Sequence, residues 1–202
     1  MATYAPLTPG EIGCFESHRR VWQKMVAEGI PAAFVLEDDM LVSDDFAHLD
    51  IAADLLAGID LIKIDYDTTL PTCYGGKRVP VTKTRSMSRL LCTEKSTGCY
   101  LVTLRGANKL LKGTRNYMLP VDTLMFNVHS KIFWSLGVWK LRDAAAIQMT
   151  MFEDHNKLHD EFRDRIQGIA RPEQEAGIAA GMRRLRVRLR RLMDRDTASQ
   201  RE

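Results

Sequence analysis

The sequence predicts an α/β domain built on a mainly parallel sheet flanked by helices. Short apolar runs of strand length alternate with helical patterns, the order that builds a parallel sheet. The helical segments carry start and stop signals at matching places. The chain, 202 residues with 45% hydrophobic and 27% charged side chains, is long enough for one well-buried core of the soluble globular class.

Each element follows in order. Thr8-Pro9-Gly10-Glu11 opens the first helix with a Thr N-cap, Pro at the first helical position and Glu three residues after the cap. That helix should run to about Glu28 and stop at Gly29, with Ile12, Phe15, Trp22, Met25 and Val26 on one face and His18 among them. Ala32-Ala33-Phe34-Val35-Leu36, led in by Gly29 and Pro31, reads as a buried strand over 32–38. Ser43 is positioned to cap a second helix over 44–57 that ends near Gly58. Asp60 to Tyr66 reads as a strand with Leu61 and Ile62 buried. Residues 67–89, rich in Thr, Pro, Gly, Lys and Arg, read as a long irregular excursion, and loops of that length tend to be functional. Gly98 to Thr103 forms a further strand, followed by a helix over 104–112. Met118-Leu119-Pro120-Val121-Asp122 then delivers an acid just before a helical stretch, Thr123 to Lys131. A strand pair over 133–141 and 144–149 closes the fold.

Residues 1–170 thus form one domain, and 171–202 a basic tail. From Arg171 onward nine arginines face five acids, so the tail carries +4, and the remainder −1, of the chain's net charge of +3. Between Glu173 and Met193 an apolar stripe of Ile178, Met182, Leu185, Leu189, Leu192 and Met193 is surrounded by arginine. A basic amphipathic helix of this kind suits an anionic membrane surface or a partner, the alternative being a helix docked on its own domain. No aromatic residues interleave the arginines, which argues against nucleic acid. No apolar run approaches the roughly 20 residues that span a bilayer, and the first residues lack the pattern of a signal peptide. These features predict a cytoplasmic protein, peripheral at most on the inner face of the membrane. Cys14, Cys73, Cys92 and Cys99 show no metal or disulfide spacing and read as buried free thiols.

The chemistry concentrates at Glu37-Asp38-Asp39, where the apolar strand surfaces. Stacked carboxylates at such a point repel one another, and partial desolvation adds to the cost. A hard divalent cation, Mg²⁺ or Mn²⁺, relieves both, and ligands gather at the carboxyl ends of strands in open α/β sheets. The competing reading is an acidic loop leading into the next helix, since Ser43-Asp44-Asp45 follows.

The block Leu7-Thr8-Pro9-Gly10-Glu11-Ile12-Gly13-Cys14-Phe15-Glu16-Ser17-His18, with Trp22 behind it and Val35-Leu36-Glu37-Asp38-Asp39 after it, resembles glycosyltransferase family 25, the lipopolysaccharide and lipooligosaccharide biosynthesis family. Gly98-Cys99-Tyr100 and Pro120-Val121-Asp122 follow in the family's order, so the resemblance covers about residues 7–125. It implies a GT-A-like, Rossmann-like fold and an inverting transfer, often of galactose from UDP-galactose, onto a bacterial surface glycan. It also implies a Mn²⁺ or Mg²⁺ ion at Glu37-Asp38-Asp39, the family's version of the D-x-D element. Such a cation would neutralise the departing diphosphate. Alternation along a strand would place Glu37 and Asp39 on one face and Asp38 elsewhere. Asp39 is then the metal ligand, with Glu37 or Asp38 reaching the metal through water or the ribose.

Inversion in one displacement needs a base for the acceptor hydroxyl, and Asp122 is the candidate; its alternative is a helix N-cap. His18 reads either as a core histidine or, from its place in the motif, as a donor-site residue near the acids. Glu11 reads as a capping-box residue alone. Glu153, Asp154, His155 and His159 form a later cluster that could complete a metal shell, with no family motif behind it. The chain departs from the family in having Glu16 where Leu is common. It also has no opening Y-V-I-N-L-D-type strand, so a domain shortened at the donor pocket is expected. The alternative is therefore a non-catalytic remnant that keeps the fold as a binding module. A metal-dependent nucleotidyltransferase ranks third, because no Gly-rich phosphate loop is present.

Overall fold

The computed structural model describes residues 6–49, 51–66 and 72–149. The first helix, α1 (Pro9–Glu28), has the expected capping box between Thr8 and Glu11, and Gly29 closes it in the left-handed conformation at φ 66°. Phe15, His18, Trp22 and Met25 are buried, whereas Ile12 and Val26 at the margins of the stripe are exposed. The strand β1 (Ala32–Leu36) follows, then β2 (Met40–Val42), a 3₁₀ turn at Phe46–His48 and β3 (Leu61–Lys63). A hairpin of β4 (Tyr74–Pro80) and β5 (Ser86–Leu90) leads to β6 (Cys99–Thr103). Three helices, α2 (Leu104–Gly113), α3 (Val121–Phe126) and α4 (Lys131–Ser135), precede β7 (Val138–Leu141) and β8 (Ala146–Gln148).

Six strands form one sheet in the order β1-β6-β3-β7-β5-β4, and β2 pairs with β8 in a second, two-stranded sheet. Helices α2 and α3 pack with α1 on one face, over Phe15, Trp22, Val35, Leu61, Tyr100, Val102 and Leu110. The opposite face carries Met40, Phe46, Ile62, Ile64, Cys99, Leu101 and Ala146. Alternation along β3 and β6 supplies both cores, since successive side chains point to opposite faces. That is why β6 reads as an unbroken buried run, as strands covered on both faces do.

The expected mainly parallel sheet is a mixed one. In the six-stranded sheet β3 and β7 pair in parallel, while β1–β6, β3–β6, β5–β7 and β4–β5 are antiparallel. A parallel neighbour requires a crossover, normally helical. Between β3 and β6 the chain makes a hairpin instead, so β6 returns antiparallel between β1 and β3. Residues 74–90, expected as irregular, are that hairpin; a register shift between Gly75 and Val79, with Gly76 at φ 71°, blurs its alternation.

Three further expectations change. Among the described residues of 44–57 no α-helix forms, and the 3₁₀ turn at Phe46–His48 stands in its place. Ser43 donates its hydroxyl to Asp45 and to the Ala145 carbonyl, and Arg85 grips Asp45 through both carboxylate oxygens. The side chains meant for capping are thus engaged by tertiary partners. The helix expected to Lys131 stops at Phe126, and Ser130 caps a new one, α4, by accepting from the Ile132 N–H at 3.2 Å. The closing strands β7 and β8 join different sheets rather than each other. Of the four cysteines expected as buried thiols, Cys99 alone is fully buried, and Cys73 is exposed. The arginine-rich stretch 173–193, the cluster Glu153, Asp154, His155 and His159, and the boundary at 170/171 lie outside the described residues.

Candidate functional site

The antiparallel β6 pairs with both β1 and β3, and β7 runs parallel to β3, so β1, β3 and β7 all point toward one sheet edge. There, the loop Thr93-Glu94-Lys95-Ser96-Thr97 enters β6 beside the end of β1. Ligand sites of open α/β sheets lie at such edges.

Glu37 extends the ladder by one residue, its N–H donating to the Gly98 carbonyl at 2.9 Å. Its carboxylate accepts from the Thr97 hydroxyl at 2.7 Å and faces His18 Nε2 at 3.4 Å. The hydrogen bond from His18 holds the Glu37 carboxyl below its usual range against the opposing effect of burial. His18 sits one helical turn after Cys14 on α1 and one before Trp22. Its Nδ1 lies 2.8 Å from the buried Tyr100 hydroxyl, which also accepts from the Trp22 indole N–H at 3.1 Å. An indole only donates. Tyr100 oxygen accepts from Trp22, and its own O–H is placed to donate to His18 Nδ1; in that tautomer the His18 hydrogen is on Nε2, aimed at Glu37. His18 is buried, as a core histidine would be, and it also stands against Glu37.

Asp122 lies in the first turn of α3, two residues past the N-cap position, which Pro120 occupies. One carboxylate oxygen accepts from the Thr123 N–H at 2.6 Å, the other from the Ser96 N–H at 3.3 Å. Ser96 and Thr97 thus tie Asp122 and Glu37 to consecutive residues of one loop. Ser96 is the sole non-glycine residue with positive φ, 69°, among the described residues, and such strain concentrates at functional sites. Negative charge from both Glu37 and Asp122 reaches Cys14, whose thiol is pushed up chiefly by burial and then by Glu37.

The acidic triplet does not act as a strand-end pair. The strand ends at Leu36 and residues 38–39 form a turn, so period-two alternation has no hold there. Asp38 is exposed. Asp39 turns to β8: its carbonyl accepts from the Met149 N–H at 2.9 Å and one carboxylate oxygen from the Gln148 amide at 2.7 Å. The other oxygen, Oδ1, is buried without a hydrogen-bond partner. An orphaned buried carboxylate oxygen is what a hard cation satisfies, so Asp39 fits a Mg²⁺ or Mn²⁺ ligand. Glu37 meets His18 and Thr97 instead.

A group of charges that the sequence reading missed lies beneath this edge. Lys63 and Lys140 are register partners on β3 and β7, both buried, and neutralised by the buried acids Asp65 and Glu94. Lys63 Nζ donates to Asp65 at 2.8 Å and to the Ser96 carbonyl at 2.8 Å, and lies 4.9 Å from the Phe126 ring centroid. Lys140 Nζ donates to Glu94 and to the Asp65 carbonyl. Burial raises the Asp65 pKa and lowers that of Lys140. Asp65 Oδ2 is the second buried orphan, on a residue bridged to Ala146 of β8. The available signal was a lysine inside each of two otherwise apolar strands, Leu61-Ile62-Lys63-Ile64 and Val138-Trp139-Lys140-Leu141. A buried cation requires a partner.

Comparison with known proteins bears on this edge. Procollagen galactosyltransferase 1 of Danio rerio is 33% identical over 134 residues, which is 61% of this chain and 21% of that protein. Lipooligosaccharide biosynthesis protein lic2B of Haemophilus influenzae is 27% identical over 138 residues, 63% of this chain and 52% of that protein. Inactive glycosyltransferase 25 family member 3 of Homo sapiens is 32% identical over 149 residues, 69% of this chain and 24% of that protein. The chain spans about a fifth of the length of the procollagen galactosyltransferases it matches. The model of glycosyltransferase family 25 (LPS biosynthesis protein) matches residues 2–125. That match takes in Cys14, His18, Glu37, Asp39, Ser96, Thr97 and Asp122, and with more than half of the chain inside it, this protein belongs to glycosyltransferase family 25.

Proposed function

We propose that this domain transfers a hexose, galactose in the first instance, from a UDP-sugar to a glycan or lipid-linked glycan acceptor with inversion at the anomeric carbon. The carrying observation is the convergence of Glu37 and Asp122 on the Ser96–Thr97 loop at the carboxyl edge of the sheet, with His18 set against Glu37. The names of the relatives support galactose and a surface saccharide, though they point to different acceptors, procollagen in one and lipooligosaccharide in another.

In this reading Asp39 holds the divalent cation through its orphaned oxygen, and the cation would supply neutralisation of the leaving diphosphate. His18, fixed by Tyr100, offers its Nε2–H toward Glu37 and the donor. Asp122, held by the Ser96 and Thr123 amides, takes the proton of the acceptor hydroxyl. The buried Lys63 places a positive charge behind the Ser96 carbonyl and acts on Glu37 as well. The arginine-rich stretch 173–193 would bring the enzyme to an anionic membrane surface where such acceptors lie.

The second reading is a non-catalytic member of the family. It is favoured by one observation: relatives named inactive, from human and mouse, match 69% and 66% of this chain. Incubation with UDP-galactose and Mn²⁺, scoring UDP release with and without saccharide acceptors, separates the two. Mn²⁺-dependent release stimulated by acceptor is expected; no release and no Mn²⁺-dependent UDP binding would leave the non-catalytic reading.

A further inference from the structure

We propose that Cys14, His18 and Glu37 form a binding site for a borderline-soft divalent cation, zinc foremost, distinct from the hard-cation ligand Asp39. One ligand atom from each lies within 4.8 Å of the others. Cys14 and His18 are one turn apart on the same face of α1, the spacing that lets two side chains of a helix reach one point. Glu37 meets them from the end of β1. Its Oε1 stands 3.4 Å from His18 Nε2. Two ligands each about 2.0 Å from a tetrahedral zinc ion lie about 3.3 Å apart, so this pair needs almost no rearrangement.

The frame is set before an ion arrives. Helix α1 is capped at both ends, and Glu37 is tied to β6 by its own N–H. Behind the ligands stand outer partners of the kind that orient metal sites: Tyr100 at His18 Nδ1 and Thr97 at Glu37. A sulfur–nitrogen–oxygen set selects zinc over Mg²⁺ or Mn²⁺, which prefer oxygen alone. Three protein ligands leave a fourth tetrahedral position for water or a ligand oxygen, the pattern of open zinc sites. On binding, the Cys14 S–H bond breaks, the sulfur bonds the metal and one proton leaves to solvent. The His18 hydrogen moves from Nε2 to Nδ1, where the Tyr100 oxygen accepts it. Zinc therefore takes His18 and Glu37 out of the arrangement proposed for the sugar donor, but the site stands whether or not sugar transfer is the activity.

The test is a Co²⁺ titration of the full chain, followed by displacement with Zn²⁺ against a chromogenic chelator. A thiolate-to-cobalt charge-transfer band is expected, absent in Cys14→Ser and retained in the Cys73→Ser/Cys92→Ser double variant and in Asp39→Asn. Zinc affinity should fall roughly tenfold or more in His18→Gln and in Glu37→Gln. No band in the wild type, a band that survives Cys14→Ser, or zinc affinity unchanged in both ligand variants would overturn the site. Should Cys14→Ser fail to fold, peptide mapping after iodoacetamide labelling of the wild type decides: Zn²⁺ shields Cys14 if the proposal holds, and leaves its labelling rate unchanged if it does not.

Discussion

Removing one oxygen atom, in Tyr100→Phe, tests the hydrogen-bonded chain that runs from Trp22 to Glu37. Tyr100 and Trp22 are fully buried and His18 nearly so, so water cannot replace the lost hydroxyl. The variant orphans two groups, the Trp22 N–H at 3.1 Å and the His18 Nδ1 at 2.8 Å. Each orphaned buried polar group costs about 1–3 kcal/mol, and the missing hydroxyl returns about 1–2 kcal/mol of its own desolvation. The net loss is about 2–3 kcal/mol, read as a lower urea midpoint with unchanged slope. Trp22→Phe removes one of the two orphans. The double variant Trp22→Phe/Tyr100→Phe should therefore lose less than the sum of the singles, by about 0.5–3 kcal/mol. A Tyr100→Phe protein within about 0.5 kcal/mol of wild type, or strict additivity in the double variant, would show that these three side chains do not share a hydrogen-bonded network.

Other perturbations address the site and the frame. Asp39→Ala should abolish Mn²⁺-dependent UDP binding, measured calorimetrically, while leaving the fold intact by circular dichroism; unchanged binding removes Asp39 from the cation. Asp122→Asn should lower turnover by about 10²–10⁴-fold with UDP affinity nearly unchanged, as loss of a general base does; a parallel loss of both would make Asp122 a donor-binding residue instead. Arg85 holds Asp45, Ser43 and the carbonyls of Asp143 and Ala144, and its hydrogen bonds, foremost, lower the Asp45 pKa from 3.8 to about 2. The stability this pair contributes is present above the unfolded pKa of 3.8 and is lost as pH falls through about 2. Because Asp45 is 43% exposed, solvent screens part of this pair, and Arg85→Met should cost about 1–2 kcal/mol at neutral pH, with the difference from wild type shrinking in urea melts run at about pH 2. Gly106→Ala puts a Cβ 2.3 Å from the Asp60 carbonyl oxygen, a backbone atom, and should destabilise by about 1–3 kcal/mol; a neutral result would mean that α2 does not pack so closely on β3.

How much of the site was legible varies residue by residue, for physical reasons. Glu37 and Asp122 stand out because acids at the ends of apolar elements are conspicuous in one dimension, and both arrive at the same edge. Ser96 and Thr97 do not stand out: small polar residues in a loop are unremarkable until a backbone turn aims two of their groups at those acids. Lys63 and Lys140 are 77 positions apart in the chain yet adjacent in register, and nothing local announces a partner that distant. The expectation that Glu37 and Asp39 share one face failed because alternation belongs to strands, and the strand had already ended.

Local signals were sufficient wherever the stabilising partner lies within a few residues. The Thr8–Glu11 capping box, the left-handed Gly29, the span of β1 and the α2 helix all follow from neighbours within a turn or a strand, but not the burial of β1, which lies at the end of the sheet with only Val35 buried. Tertiary structure alone decided the strand order, the direction of β6, the loss of a helix after Ser43 and the separate orientations of Glu37 and Asp39. Each of those depends on groups far along the chain, Arg85 on Asp45 and Gln148 on Asp39, which compete with local hydrogen bonding and prevail because their bonds form at partly or wholly buried positions.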